Sequence, residues 1–534
     1  MTNTPTKSDG IERFDVEAVN AQDRRQPLYA AREKIHPKRA SGDFRRLKWI
    51  IMAVTLTIYY VTPWLRWERS LHAPDQAVLV DIANRRFYFF MIEIWPQEFY
   101  FVAGLLVMAG IGLFFVTSSV GRAWCGYTCP QTVWVDLFLV VERFFEGDRN
   151  ARIRLDSAAL SLSKFRKRLF KHVTWLLIAV ATGGAWIFYF ADAPTLLRDL
   201  LLGEAAMIAY ATVGVLTATT YVFGGHMREQ VCTYMCPWPR IQGAMQDAHS
   251  LVVTYNDWRG EPRRPRNRAN RVKDRAVGDC VDCNACVAVC PMGIDIRDGQ
   301  QLECITCALC IDACDGVMDK IGRERGLISY ATLADYADNM ALARDGDGEG
   351  DGDGDGDGDG AIKPELARDP SSGQLNPGFK TKGLASVLRP RTFAYLGLWS
   401  LIGLAMLVAL LSRGTLDLNV LHDRNPLYVQ LSDGGIRNGY TVKILNKRAG
   451  ARALRLSVDG LPGAGIWTAG STDGPSQFLM IDAGADRLAT TKVFVRAQPN
   501  GTGAHRVAFQ FVVTDDATGE SATYETWFEG PEGR

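Results

Sequence analysis

Long apolar stretches give the chain its clearest pattern. Each contains no charged residue, and its length is close to the roughly 20 residues that a helix needs to cross the hydrocarbon core of a membrane. Five such stretches in one chain favour membrane spans over buried core helices, although the first, at 17 residues, is at the lower length limit. The sequence therefore predicts five transmembrane α-helices, over Trp49–Leu65, Phe99–Val120, Val173–Phe190, Ala205–Phe223 and Thr392–Ser412.

Two shorter segments have a mixed pattern. Phe87–Pro96 is apolar and aromatic but is broken by Glu93, and we expect an interfacial piece on the outer side of the membrane. Gln131–Phe145 has the pattern of an amphipathic helix on the inner face, interrupted by Asp136. A re-entrant segment is the alternative for either one.

The pattern changes again toward the C-terminus. Residues 345–360 alternate Asp or Glu with Gly, which is typical of a disordered acidic linker. A calcium-binding loop is not predicted, because Gly356 occupies the position where such a loop needs a bidentate Glu. From about residue 415, short alternating runs separated by turn residues predict an all-β immunoglobulin-like sandwich that acts as an interaction module. The runs are Leu427–Leu431, Tyr440–Leu445, Ala453–Val458, Phe478–Ile481, Lys492–Val495 and Val507–Val513.

Composition and charge indicate the class of protein and the orientation of the chain across the membrane. The 534 residues are 47% hydrophobic with a net charge of +1, which excludes a disordered chain and gives no sign of a nucleic-acid partner. Lys and Arg are concentrated before the first stretch, in the segment 121–172 and after Phe223, so these parts are expected in the cytoplasm. No signal peptide is predicted at the N-terminus.

These features predict a multi-domain integral protein of the cell inner membrane. Because the number of spans is odd, the N-terminus and the C-terminal domain are expected on opposite sides. The predicted regions are a cytoplasmic basic segment (1–46), four transmembrane helices (47–223), a cytoplasmic region (224–344), the linker (345–390), a fifth transmembrane helix (391–413) and a periplasmic immunoglobulin-like domain (414–534).

The twelve cysteines all lie between Cys125 and Cys314. Residues 280–290 and 304–314 each have the spacing C-x2-C-x2-C-x3-C, the run of bacterial two-cluster ferredoxins, in which the fourth cysteine serves the other cluster. A pair of structural zinc sites is the alternative, and its usual spacing differs. The sequence thus predicts an α+β ferredoxin domain with two 4Fe-4S clusters, one held by Cys280, Cys283, Cys286 and Cys314, the other by Cys304, Cys307, Cys310 and Cys290.

The other four cysteines form a repeat, C-x-Y-x-C-P, at 125–130 and 232–237, each following a span on its cytoplasmic side. The proline predicts that Cys129 and Cys236 lie near a helix N-terminus, where the helix dipole lowers a thiol pKa. Cys125, Cys129, Cys232 and Cys236 could bind Cu(I), cycle between dithiol and disulfide, or simply be packed small residues.

Residues beside the second repeat are further candidate metal ligands. His226, Met227 and Met235 are soft or borderline donors, although ordinary packing is the stronger interpretation for all three. Asp136 and Glu204 could move protons, but solvated or interfacial carboxylates are expected.

The order of these parts resembles the cytochrome c oxidase accessory proteins called CcoG, FixG or RdxA. The resemblance is carried by Gly42–Trp49, Trp124–Glu142, the paired ferredoxin runs and Cys314–Leu327, and the acidic run departs from it. It implies a C-terminal immunoglobulin-like domain, eight ferredoxin cysteines that carry electrons, and four membrane-edge cysteines as candidate catalytic copper or redox residues. It also implies reduction of Cu(II) to Cu(I) for maturation of a cbb(3)-type oxidase, with assembly factors or copper-delivery proteins as partners.

Three functions follow from the sequence as hypotheses. The first is a cupric reductase. The second is a quinol-linked electron relay of a respiratory reductase, and the third is a non-enzymatic oxidase assembly scaffold. The electron donor and the oligomeric state, including a homo-oligomer, stay open.

Overall fold

The structure is a computed structural model. It describes residues 34–69, 73–263, 277–344, 362–369, 374–379, 387–448, 450–471, 474–485, 487–498 and 505–531. Most of the predicted N-terminal basic segment and the whole acidic run 345–360 lie outside these residues. The chain forms two compact units, one of residues 1–65 and 78–404 and one of residues 66–77 and 405–534.

Thirteen α-helices occur in the described part of the chain. They are α1 (Asp43–Val61), α2 (Tyr100–Val120), α3 (Pro130–Glu146), α4 (Arg149–Ser157), α5 (Leu162–Gly183), α6 (Ala193–Leu202), α7 (Met207–Thr220), α8 (Trp238–Met245), α9 (Asp257–Gly260), α10 (Ala285–Val289), α11 (Leu309–Lys320), α12 (Leu333–Arg344) and α13 (Pro390–Leu411).

Four helical segments are long and apolar enough to cross a membrane, and they coincide with four of the five predicted spans. They are Pro96–Val120, Leu162–Tyr189, Met207–Met227 and Pro390–Leu411, with mean hydropathies of 2.4, 1.4, 1.4 and 2.2. The first predicted span lies mostly in α1, whose initial turns carry Asp43, Arg45, Arg46 and Lys48. The count of five spans therefore stays a prediction.

Helix α1 is tied to α3 by a buried ion cluster. Arg45 and Lys48, both buried, contact Asp136 at 2.9 Å each. Burial alone would raise the pKa of Asp136, but Lys48 and Arg45 together hold it below its usual value. The predicted helix Gln131–Phe145 is confirmed as α3, whereas the expectation of a solvated or interfacial Asp136 is wrong because two cations from α1 enclose it.

The segment predicted as an interfacial piece forms strands. Within a three-stranded antiparallel sheet, Arg86–Phe89 pairs with both neighbours. Glu93, which interrupts the apolar pattern, pairs with Arg86 at 3.1 Å across the hairpin. The strands of this unit are β1 (Val78–Asp81), β2 (Arg86–Phe89), β3 (Ile92–Ile94), β4 (Val252–Tyr255) and β5 (Ile328–Ala331).

The C-terminal unit is the predicted sandwich. One sheet has the order β10-β12-β8-β6 with β7 also on β8, the other the order β11-β9-β13-β14, and apolar residues of both sheets form one core. Tyr440 is fully buried there and donates a hydrogen bond to the Trp527 carbonyl at 2.7 Å. The strands are β6 (Leu416–His422), β7 (Val429–Gln430), β8 (Ile436–Asn446), β9 (Arg452–Asp459), β10 (Gly465–Thr468), β11 (Phe478–Ala483), β12 (Arg487–Ala497), β13 (Arg506–Thr514) and β14 (Ser521–Glu529).

The N-terminus of α1 docks on α11, between two cysteines of the second ferredoxin run. The Asp312 carboxylate accepts hydrogen bonds from the backbone N–H of Phe44 at 3.1 Å and of Arg45 at 2.7 Å. A Cβ on Gly42 would lie 2.3 Å from this carboxylate, so only glycine permits the approach. Asp312 thus caps a helix that is distant in sequence.

Replacing Asp312 by Ala should lower the thermal unfolding midpoint, because two N–H donors at the start of α1 lose their acceptor, a loss of about 1–2 kcal/mol. Asp319→Ala is the matched control on the same helix, since the ion pair that Asp319 forms among the described residues is with exposed Arg325. Equal midpoints for the two variants would contradict the capping role.

Candidate iron-sulfur and thiol sites

The two ferredoxin loops have the same backbone. In each, the residues immediately before and after the second cysteine have a left-handed conformation: Asp282 (φ 50°) and Asn284 (φ 57°), then Thr306 (φ 56°) and Ala308 (φ 60°). Residues other than glycine rarely adopt this conformation, and it turns successive N–H groups toward one side. Such a concave row of N–H groups suits an anionic cluster.

Arg297 supports the first loop at both left-handed residues. Its guanidinium donates hydrogen bonds to the Asp282 carboxylate at 2.8 Å and to the Asn284 side-chain oxygen at 2.7 Å. Asp295 holds the same guanidinium at 2.5 Å. The strained loop is therefore fixed by a charged network rather than by packing alone.

The cysteines surround two enclosed cavities. The residues lining one include Cys280, Cys283, Cys286 and Cys314, and those lining the other include Cys290, Cys304, Cys307, Cys310 and again Cys286. The two cavities therefore adjoin at Cys286. Strands β4 and β5 cover them, with Val253 at one cavity and Tyr255 and Ile328 at the other. The fourth cysteine of each run lies with the first three of the other.

The environment of these thiols fits a metal cluster. Burial raises the pKa of Cys304 to about 11 and that of Cys290 to about 12. A thiol in such surroundings is neutral at pH 7 unless a metal replaces its proton. Burial also raises the pKa of Cys283, Cys286, Cys310 and Cys314.

The two membrane-edge motifs also share a backbone. Each first cysteine lies in a single turn of π-helix, Trp124–Thr128 or Val231–Met235, a rare element that often occurs at functional sites. The N–H of Cys129 bonds to the Trp124 carbonyl at 2.9 Å, and that of Cys236 to the Val231 carbonyl at 2.8 Å. Cys129 is the N-cap of α3, and Cys236 precedes the N-cap of α8, as the prolines predict.

The first motif packs directly on the second ferredoxin loop. A Cβ at Gly126 would lie 2.7 Å from the Ile305 carbonyl oxygen, so the backbones meet there without a side chain between them. Arg122 donates hydrogen bonds to the carbonyls of Leu302 and, at 3.0 Å, Cys304. Tyr330 donates a further bond to the Thr306 carbonyl at 2.8 Å. The loop is thus held by the segment of the first motif and by β5.

The membrane-edge thiols lie within electrostatic range of one another, and two of them adjoin the second cavity. Cys125 and Cys232 belong to the same apolar cluster as Cys290, Cys304 and Cys307. Burial, with a smaller contribution from neighbouring membrane-edge thiols, raises the pKa of Cys125 and of Cys232 to about 12. Both are neutral thiols at pH 7 in the absence of a bound cation.

Gln242 of α8 connects the two motifs. It is fully buried, and its side-chain oxygen accepts a hydrogen bond from the Cys125 thiol at 2.9 Å.

The other suggested ligands have different surroundings. His226 stacks on His172 with ring centroids 5.8 Å apart and also contacts Trp175 and Tyr221. Glu204 is exposed, as expected. Within the described ranges, no three His, Cys, Asp or Glu side chains are gathered as ligands of a single metal ion.

The sequence reasoning missed the residues that hold the loops in place. Arg297, Arg122 and Gln242 lie between or outside the cysteine motifs, and Gly126 lies at a variable position within the first one. Only Gly126, which occupies the variable position of C-x-Y-x-C-P and is replaced by Thr233 in the second repeat, differs visibly between the two copies. That difference could have indicated that only the first copy meets another backbone.

Comparison with known proteins agrees with this arrangement. Family models match residues 227–333 (a 4Fe-4S dicluster domain), 101–146 (a 4Fe-4S binding domain) and 406–531 (an Ig-like fold at the C-terminal of FixG, putative oxidoreductase). The 101–146 match includes the first membrane-edge motif.

Three curated proteins are similar over most of the chain. The nitrogen fixation protein FixG of Rhizobium meliloti is 59% identical over 99% of this chain and 99% of its own length. In Cereibacter sphaeroides, protein RdxB is 52% identical over 94% of this chain and 97% of its own length. Protein RdxA of the same organism is 54% identical over 82% of this chain and 85% of its own length.

Replacing Gly126 by Ala should destabilise the protein by about 1–3 kcal/mol, because the added methyl group must push the Ile305 backbone away. The thermal unfolding midpoint, followed by tryptophan fluorescence, measures this. Gly214→Ala, where a Cβ meets open space, should leave the midpoint unchanged. An unchanged midpoint for Gly126→Ala would show that the motif and the loop do not press together.

Proposed function

The chain belongs to the FixG, RdxA and RdxB family of membrane iron-sulfur electron-transfer proteins, and from that premise we propose that it reduces Cu(II) to Cu(I) for the maturation of a cbb(3)-type oxidase. The observation that carries the proposal is the position of Cys125 and Cys232, which pack with cysteines of the second ferredoxin cavity, while Cys129 and Cys236 lie within electrostatic range of them. Copper as the acceptor agrees with the softness of these ligands.

In this proposal each cavity holds one 4Fe-4S cluster. Cys280, Cys283, Cys286 and Cys314 are the ligands at one, and Cys304, Cys307, Cys310 and Cys290 at the other. A bound cluster of this kind stores one electron, which is the charge needed to convert one Cu(II) into Cu(I). The left-handed loop residues, fixed by Arg297 in the first loop, keep the N–H groups directed at the cluster.

The membrane-edge thiols bind the substrate ion in this account. Cys125, Cys129, Cys232 and Cys236 are soft donors that favour Cu(I) over Cu(II). Because Cys125 and Cys232 are neutral in the free site, copper binding releases their protons. Because these thiols bind the product Cu(I) more tightly than the substrate Cu(II), binding at this site favours the reduction.

The topology in this proposal has five spans. The N-terminus and the ferredoxin domain are cytoplasmic, and the sandwich is periplasmic, where it meets oxidase assembly factors or copper-delivery proteins. The distribution of Lys and Arg supports this orientation. A cytoplasmic ferredoxin domain also keeps the cluster thiols in a reducing compartment.

Two other functions predict different outcomes in one assay. The anaerobic, reduced protein is mixed with Cu(II) and a Cu(I)-specific chelator, and Cu(I) formation is followed. Quinol oxidation without Cu(I) formation would favour the electron relay, and neither activity would favour the scaffold.

The match of a 4Fe-4S binding domain to residues 101–146 suggests an alternative occupant of the membrane-edge cysteines, a third cluster in place of copper.

The crossed ligand sets predict which cluster each substitution removes. Cys314→Ser should abolish the electron paramagnetic signal of one reduced cluster and about half of the bound iron, because each cluster holds about four irons. Cys290→Ser is the paired variant and should abolish the other signal. Loss of the same signal in both variants would contradict the crossed sets.

The double variant Cys125→Ser, Cys232→Ser should lose Cu(II) reduction and retain the visible absorbance of the clusters, since these thiols contact the cavity without lining it. Cu(I) formation measured with the chelator tests this. Met235→Leu, an exposed soft donor in the second motif, is the control and should reduce Cu(II) at the normal rate. Simultaneous loss of cluster absorbance and copper reduction would assign a structural role to the two cysteines.

A further inference from the structure

A third, larger cleft lies beside Cys304 and is not used by the function proposed above. Its volume is about 360 Å³, within the range of small-molecule sites. Arg122 and Arg240 line it, together with the amides of Gln246, Gln300 and Gln301. Aliphatic side chains complete its lining, namely Val252, Val253, Ile296 and Leu302.

Two buried side chains in this cleft are hydrogen-bonded at one end only. The Gln301 amide nitrogen donates to the Asp295 carbonyl at 2.5 Å, while its oxygen has no partner among the described residues. A terminal nitrogen of Arg122 donates to the second ferredoxin loop, while the Arg122 Nε–H has no hydrogen-bond partner among the described residues. Gln301 and Arg122 are 6% and 5% exposed, so these unpaired groups lie beneath the surface of the cleft.

The charge in the cleft favours an anion. None of the described residues that line it is acidic, although Glu303 lies within electrostatic range of Arg122. Arg240 is exposed, and within the described part of the chain its guanidinium has no ion-pair partner. A phosphate could therefore bind there without displacing an existing carboxylate.

We propose that this cleft binds the electron donor, and that the donor is a reduced flavin mononucleotide. The ring edge of a flavin presents a carbonyl oxygen and an N–H side by side, which suit the side-chain amides of Gln246 and Gln300 in the lining of the cleft. The aliphatic lining suits the ring, and Arg240 suits the phosphate. A nicotinamide is a poorer match because it delivers a hydride rather than single electrons.

The redox balance is simple and rests on the function proposed above. The anionic reduced flavin gives up two electrons one at a time and one proton, and becomes oxidised flavin. The electrons pass to the two clusters held by the ferredoxin cysteines, and the proton passes to water. Cys304 lines the cleft, so the donor lies next to a proposed cluster ligand.

The binding test uses the full-length protein in detergent under anaerobic conditions, titrated with flavin mononucleotide while flavin fluorescence is measured. Arg240→Gln should weaken binding roughly tenfold or more, the effect of losing a charge-assisted hydrogen bond. Arg166→Gln, an exposed arginine on α5, is the control and should bind as the wild type does. Riboflavin, which lacks the phosphate, should bind the wild type as weakly as flavin mononucleotide binds Arg240→Gln.

Electron transfer separates this proposal from the copper proposal. Arg240→Gln that has been reduced with dithionite and then freed of excess reductant should still convert Cu(II) to Cu(I) at the wild-type rate, whereas reduction of its clusters by reduced flavin mononucleotide should be slow. Absence of flavin binding, equal affinity in the wild type and Arg240→Gln, or reduction of the clusters by a quinol and not by the flavin would overturn the assignment. Failure of copper reduction alone would overturn only the copper proposal.

Discussion

Buried thiols need a cation, and this requirement organises the centre of the molecule. Six of the eight ferredoxin cysteines lie in apolar surroundings where burial raises the thiol pKa above its usual value, so they become thiolates only when a metal binds. The left-handed residues of the two loops turn backbone N–H groups toward the same places. Apolar burial, strained backbone and grouped thiols are each costly alone, and a bound cluster offsets all three.

The membrane part of the chain is built onto these loops rather than merely linked to them. Helix α1 begins on the Asp312 carboxylate, and its Arg45 and Lys48 hold Asp136 of α3. The first membrane-edge motif meets the second loop at Gly126 without an intervening side chain. The consequence is a short, packed route from the cysteine cavities to the thiols at the membrane edge.

Local pattern was sufficient for much of the fold. Four apolar helices are where the long uncharged stretches predict them, because length and hydropathy are local properties. Helix α3 and most strands of the sandwich are where the hydrophobic periodicity predicts them, because each buries one apolar face. Strands β6, β10 and β14 were missed. For β14 the reason is its mixed composition: Ser521–Glu529 has polar residues at most positions and gains its place from pairing with β13.

The residues that position the site could not be predicted because their partners are distant in sequence. Asp136 appears interfacial until α1 supplies two cations, and Arg122 and Gln242 gain a role only when the membrane-edge motifs fold against the ferredoxin loops. The π-helical turns have no sequence signature that separates them from α-helix. Cysteine spacing, by contrast, is local and was read directly.

The most direct test of the central claim is the metal content of the anaerobically purified protein, measured together with its low-temperature electron paramagnetic resonance after reduction. The account predicts about eight irons and about eight sulfides per chain, with two interacting reduced clusters because their cavities adjoin at Cys286. A protein that holds zinc, with no paramagnetic signal on reduction, would contradict it.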